Sequence, residues 1–212
     1  MDKHLHIVCL DVPYPVDYGG VFDLFYKIKA LHEKGIRIHL HCFEYGRGQQ
    51  PELNKYCEAV YYYERQEGHK GFSLTLPYIV SSRSNQELWQ RLQQDNYPVL
   101  LEGIHCTYGL YAGLLHNRRV LVRLHNVEYE YYQQLAQWER SLVKKAYFRH
   151  ESRLLQRYEK KIAQLAPVIA VSEKDANLYK RKLGSTNAGF LPLFVPQQLV
   201  TSKEGTGTFA MY

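Results

Sequence analysis

Cysteine is scarce: Cys9, Cys42, Cys57 and Cys106 are the only four in 212 residues. No two are close enough for the C-x-x-C spacing of zinc and redox motifs. Cys9 and Cys42 lie in apolar runs, where cysteine behaves as a small hydrophobe, so all four are expected to be reduced and structural. The dinucleotide fingerprint G-x-G-x-x-G is absent, which argues against a nicotinamide or flavin dinucleotide. The ten histidines include no H-x-x-x-H pair, so no metal is expected. No apolar run approaches the ~20 residues of a membrane span. The start, Met1-Asp2-Lys3-His4, lacks the basic and apolar regions of a secretory leader. No nucleic-acid motif is present. The expected location is the cytoplasm, with the inner face of the membrane as a place of work.

What is present is ordinary in bulk and unusual in detail. The chain is 45% hydrophobic and 23% charged, a normal globular composition. Its 19 tyrosines suit surfaces and clefts that are apolar in body and polar at the tip. A net charge of +6 favours an anionic partner, and nucleotide diphosphate, anionic lipid and nucleic acid all qualify.

Residues 4–43 organise the rest. Residues 4–11 form a short apolar run with β-branched side chains and read as a strand. Pro13, Pro15, Gly19 and Gly20 then break the pattern. Val21, Leu24, Phe25, Ile28 and Leu31 recur at helical spacing, and Gly35 stands where a helix stops in a left-handed conformation. Residues 36–43 alternate apolar and polar as a second strand. Strand, glycine loop, helix and strand make one right-handed βαβ unit. Its loop lies at the carboxyl end of the first strand, where open α/β sheets bind ligands. The free N–H groups of the helix start favour an anion, phosphate above all. Gly19 and Gly20 would let a ligand approach the backbone closely; an ordinary tight turn explains them equally well.

Further strands are predicted at 59–63, 97–102, 119–124, 168–171 and 188–191. Helices are predicted at 85–94 with Ser84 as N-cap, at 108–116, and from Ser172 to before Gly184. Residues 128–164 hold no proline or glycine and read as a long helix that bends or breaks near 138–141. The alternation gives a Rossmann-like α/β fold, a parallel sheet flanked by helices. The polar positions of 36–43 fit a central parallel strand poorly, so that strand is placed nearer an edge or given functional histidines. Pro192 and Pro196 look like a linker, and Phe209-Ala210-Met211-Tyr212 reads as a new strand. The expected division is a domain over 1–196 and a linker with a stub of a second domain over 197–212.

Four stretches then carry a family pattern: residues 13–20 with the following helix, Leu101-Glu102-Gly103-Ile104-His105, Arg123-Leu124-His125-Asn126-Val127-Glu128, and Ile169-Ala170-Val171-Ser172-Glu173 opening a helix. In this order and spacing the chain resembles the N-terminal half of a GT-B fold glycosyltransferase. The group in question is retaining, nucleotide-sugar-dependent and builds bacterial polysaccharides. The resemblance implies an acceptor-binding domain whose cleft partner holds most of the donor site, with no cofactor and no obligatory metal. It implies that Gly19 and Gly20 approach the donor diphosphate or the transferred sugar, and that His125 is the catalytic candidate beside that sugar. Glu102 and His105 would face the same cleft. The carboxylate pair of the second domain has no counterpart here, so the fragment alone is expected to be inactive.

From the residues alone, His105 and His125 lie at or just beyond strand ends beside the glycine loop. They could hydrogen-bond sugar hydroxyls or a developing charge, or merely complete a strand end. Asn126 and Glu128 are cleft candidates that could instead cap the next helix, and Ser172 with Glu173 reads as a cap. The basic residues from Lys144 to Lys161 mark either a solvated helix face or a surface for anionic lipid. The implied partners are a nucleotide-sugar donor, a carbohydrate or lipid-linked acceptor and a peripheral membrane contact, with no nucleic acid. The competing functions are a non-catalytic sugar- or nucleotide-binding α/β module and another α/β enzyme acting on a phosphorylated metabolite.

Overall fold

Alternating strands and helices close into one sheet. The computed structural model describes residues 3–17 and 19–195; the strand expected at 209–212 lies outside them. The strands are β1 (Lys3–Cys9), β2 (Ile36–Glu44), β3 (Ala59–Glu64), β4 (Val99–Glu102), β5 (Val120–Leu124), β6 (Val168–Ala170) and β7 (Ala188–Phe190). All pair in parallel, in the order β3-β2-β1-β4-β5-β6-β7. The chain begins in the middle, works outward to β3, then returns to the other side of β1. The order reverses between β1 and β4, and such a switch point opens a crevice at the carboxyl ends of the strands.

The helices are α1 (Gly19–Glu33), α2 (Tyr78–Ser81), α3 (Gln86–Leu92), α4 (Tyr108–Tyr111), α5 (Glu128–Trp138), α6 (Leu142–Leu165) and α7 (Glu173–Arg181). Strand periodicity sorts the core into two faces. Leu24, Phe25 and Ile28 of α1 cover Ile7, Cys9, Ile38, Leu40 and Cys42. On the other face α3, α6 and α7 cover Val8, Leu101, Val122, Leu124 and Val168. Gly35 ends α1 with φ 71°, as its position predicts.

The alternation of β2 has a physical cause. β2 lies one strand in from the edge; of its polar positions Arg37 is exposed, His39 is half-buried and His41 is fully buried. His41 Nε2 meets His6 Nδ1 at 2.8 Å, His41 Nδ1 meets the Tyr63 hydroxyl at 2.9 Å, and His6 Nε2 meets Asp95 at 3.0 Å. His4 and His39 pair at 2.9 Å, and Tyr97 stacks on His4. These histidines satisfy one another. Asp95 and Tyr97 precede β4, so the ladder lies toward the amino ends of the strands, away from the crevice.

Three local expectations need correction. The N-cap of α3 is Asn85, whose side chain accepts from Leu88 N–H at 3.1 Å, not Ser84. The helix expected at 108–116 stops at Tyr111, and Gly113 and Asn117 both take positive φ. Neither Asn126 nor Glu128 caps α5. Its N-cap is Val127 without a side-chain bond, and Glu159 of α6 accepts from Tyr129 N–H at 3.0 Å. The long helical segment does break where expected, between Trp138 and Leu142, with Ser141 capping α6.

Candidate active site

The carboxyl ends of β4 and β5 bring two charged residues into a buried network. Glu102 and Arg123 are register partners on adjacent strands. α1 contributes Asp23 and Lys27, one turn apart, whose side chains reach them. Lys27 Nζ lies 2.8 Å from Glu102 and 3.1 Å from Asp23. Arg123 lies 3.2 Å from Asp23. All four are buried. Burial is the largest single influence and pushes both carboxyls up in pKa, yet each is lowered: Lys27 leads the opposing contributions, joined by Arg123 and the Phe194 amide at Asp23 and by His125 at Glu102, and together they outweigh it.

His125 stands on this network. Its Nε2 lies 3.1 Å from the second oxygen of Glu102, and its side chain is 15% exposed. A carboxylate accepts only, so Nε2 carries a proton, and in the neutral ring Nδ1 is the acceptor. Glu102 is fully buried with both oxygens engaged, so it acts beneath His125 rather than on the open crevice. Asp23, Glu102 and His125 are near enough to suggest a metal triad. The Lys27 ammonium already bridges the two carboxylates, where a cation would sit.

The same network reaches the segment after β7. Arg123 donates to the carbonyls of Leu191 and Pro192 at 3.1 and 2.9 Å, and Phe194 N–H donates to Asp23 at 2.7 Å. The linker-like stretch is thereby tied to the floor of the site.

Around His125 the other candidates divide. Glu128 is 6% exposed. Burial pushes its pKa up to about 7, against the pull of His125, Asn126 and Arg83. A carboxyl poised near neutrality beside a histidine is suited to proton transfer. Asn126 is exposed. His105 has a buried Nδ1 with no partner among the described residues, and burial together with Arg83 holds its pKa well below the ordinary value. Gly19 and Gly20 form the first turn of α1, four and three residues before Asp23. A Cβ at Gly19 would meet nothing within 4 Å, so the backbone there is open to a ligand. Arg47 holds the preceding loop through Asp17 at 2.8 Å.

Sequence reasoning missed Asp23, Lys27 and Arg123. The available signal was an arginine inside the apolar strand Val120–Leu124, in register with a glutamate that ends another apolar strand. Buried charges of opposite sign must find partners.

A sucrose-phosphate synthase from Thermosynechococcus elongatus superposes with TM-score 0.61 over 90% of this chain and 48% of that one, at 15% identity. The chain has the fold of the N-terminal half of a GT-B glycosyltransferase. A UDP-glucosyltransferase from Polygonum tinctorium is more distant, with TM-score 0.47 and 12% identity over 91% of this chain and 52% of that one. In sequence, an uncharacterized 44.6 kDa protein in the cps region of Klebsiella pneumoniae is 30% identical over 162 residues, 73% of this chain. This GT-B half spans 41% of that relative. No family model matches the chain.

Proposed function

We propose that this chain is the acceptor-side half of a glycosyltransferase that moves a sugar from a nucleotide-sugar donor to a polysaccharide or lipid-linked acceptor. The observation that carries the reading is His125, held by Glu102 at the carboxyl edge of a GT-B sheet and linked through the network to Asp23 in α1. Transfer builds charge at the sugar and its leaving phosphate, and fixed dipoles in a cleft stabilise such charge without reorganising. His125 presents one defined tautomer to the crevice and serves as the catalytic candidate. The amides of Gly19 and Gly20 face the donor diphosphate at a helix start. Glu128, His105 and Asn126 line the acceptor side, with Glu128 able to exchange a proton near neutral pH.

In this reading a donor-binding half beyond residue 196 completes the cleft, in keeping with the share of its relatives that the chain spans. The cps-region setting of the Klebsiella relative accords with building surface polysaccharide. The test is sugar transfer by the protein extended to the length of that relative, offered a panel of labelled nucleotide sugars and lipid-linked acceptors. Transfer from a nucleotide sugar supports the reading. Binding of sugars or nucleotides without turnover across the panel would favour a non-catalytic module.

A further inference from the structure

α5 and α6 form a hairpin anchored at its base. Tyr129, at the start of α5, donates its N–H to Glu159, and its carbonyl accepts from Ser152 at 2.8 Å. From Ser152 back to Leu142, α6 therefore runs beside α5 beyond the carboxyl edge of the sheet, about 15 Å at 1.5 Å per residue. The tip carries three large apolar side chains: Trp138 is 86% exposed, Leu142 81% and Val143 81%. Apolar groups clustered and exposed to this degree mark a contact surface.

The charge around the tip is mainly positive for a structural reason, although Glu139 stands in the turn and accepts from Ser141 N–H at 2.8 Å. α6 contains two acids, Glu151 and Glu159, and both are fully buried. They cap other helices, accepting from the N–H of Tyr78 and of Tyr129. The solvent face of α6 is left with cations only, among them Lys144, and Arg149, Arg153 and Arg157 at four-residue intervals. Arg140 adds another in the turn. The surface is convex and protrudes, unlike a groove that receives a peptide.

We propose that the α5–α6 tip docks on an anionic lipid bilayer. Trp138, Leu142 and Val143 enter the interfacial layer, and the cations of α6 meet the headgroups. Aromatic and aliphatic insertion combined with basic residues is the chemistry of peripheral membrane attachment. A second copy would bring the same positive charge to the contact, which disfavours pairing of two tips. The proposal does not depend on the transferase reading; it turns the carboxyl edge of the sheet toward the bilayer.

The chain has two tryptophans, and Trp89 is 4% exposed, so Trp138 reports on the contact. Phosphatidylcholine vesicles containing about 30% phosphatidylglycerol should sediment with the chain and shift its fluorescence to the blue. Neutral vesicles should bind roughly tenfold less, and about 0.5 M NaCl should weaken the anionic binding. The variant Trp138→Ser/Leu142→Ser/Val143→Ser should lose roughly tenfold or more in partitioning, with an unchanged circular dichroism spectrum because these side chains are more than four-fifths exposed. The variant Lys144→Glu/Arg149→Glu should lose binding and keep the apolar tip. Binding that is equal on neutral vesicles, insensitive to the serine variant, or absent at low salt would overturn the proposal. So would a chain dimer in sedimentation that the serine variant dissolves.

Discussion

Replacing Lys27 by methionine tests the network beneath His125. The ammonium lies 2.8 Å from Glu102 and 3.1 Å from Asp23, and both carboxylates are fully buried. Methionine fills a similar volume and removes the charge. Asp23 keeps Arg123 and the amide of Phe194, so the uncompensated charge falls on Glu102, left with His125 alone. Breaking a buried pair by removing one partner costs ~3–5 kcal/mol, and the retained partners place this case at about 3 kcal/mol. Urea unfolding at pH 7, followed by circular dichroism, measures it as a lower midpoint at unchanged slope. Adding Glu102→Gln removes the orphaned charge, so the double variant should be more stable than Lys27→Met alone by about 2 kcal/mol. The pH dependence has a fixed sign. The folded-state pKa of Glu102 is lowered, so its contribution is present above the unfolded value of about 4.5 and is lost as pH falls. The gap between wild type and Lys27→Met should narrow in acid. A Lys27→Met protein within about 0.5 kcal/mol of wild type at neutral pH, or a double variant weaker than the single, would refute the reasoning.

Glu128→Gln should act in the opposite pH range. The folded pKa of about 7 lies above the ordinary glutamate value, so ionising this carboxyl costs stability progressively from about pH 4.5 to about pH 7. Thermal melts should show Glu128→Gln more stable than wild type at pH 8 and nearly equal to it at pH 4. The histidine ladder gives an acid-side signature: burial lowers the pKa of His6 and His41, so stability should fall as pH drops below about 6.5. A His41→Gln variant, compared by melting at pH 7 and pH 5, should show a shallower acid loss. The chain alone should bind UDP and GDP too weakly for a saturating isotherm at micromolar concentration, and should transfer no sugar. Micromolar binding by calorimetry would assign the donor site to this half.

Much of the fold was legible because its signals are periodic. The helical spacing of Val21 to Leu31 and the apolar runs at β4, β5 and β6 located those elements, and the break between α5 and α6 fell where the helix was too long to continue. Cap identity was less legible. Ser84 and Asn85 are both good caps, and only geometry decides which side chain reaches Leu88. The cap of α5 comes from Glu159, thirty residues from Tyr129, which no local pattern encodes. The site was half legible. His125 and Glu102 stand at strand ends, where topology brings residues to a crevice. Lys27 and Asp23 read as surface charges on a helix, and only their tertiary ion pairs with Glu102 and Arg123 show them to be buried. The β2 histidines were ambiguous because alternation looks alike whether the polar side meets water or another histidine.

The account rests on His125 acting at the crevice rather than holding the fold. Its side chain is 15% exposed and it donates to Glu102. The direct measurement is turnover and melting temperature of His125→Ala in the protein extended to carry a donor-binding half. Turnover should fall by roughly 10²-fold, the scale of one lost transition-state hydrogen bond, while the protein stays folded and loses less stability than Lys27→Met, because Lys27 still pairs with Glu102. Near-normal sugar transfer by a stably folded His125→Ala enzyme would contradict the account.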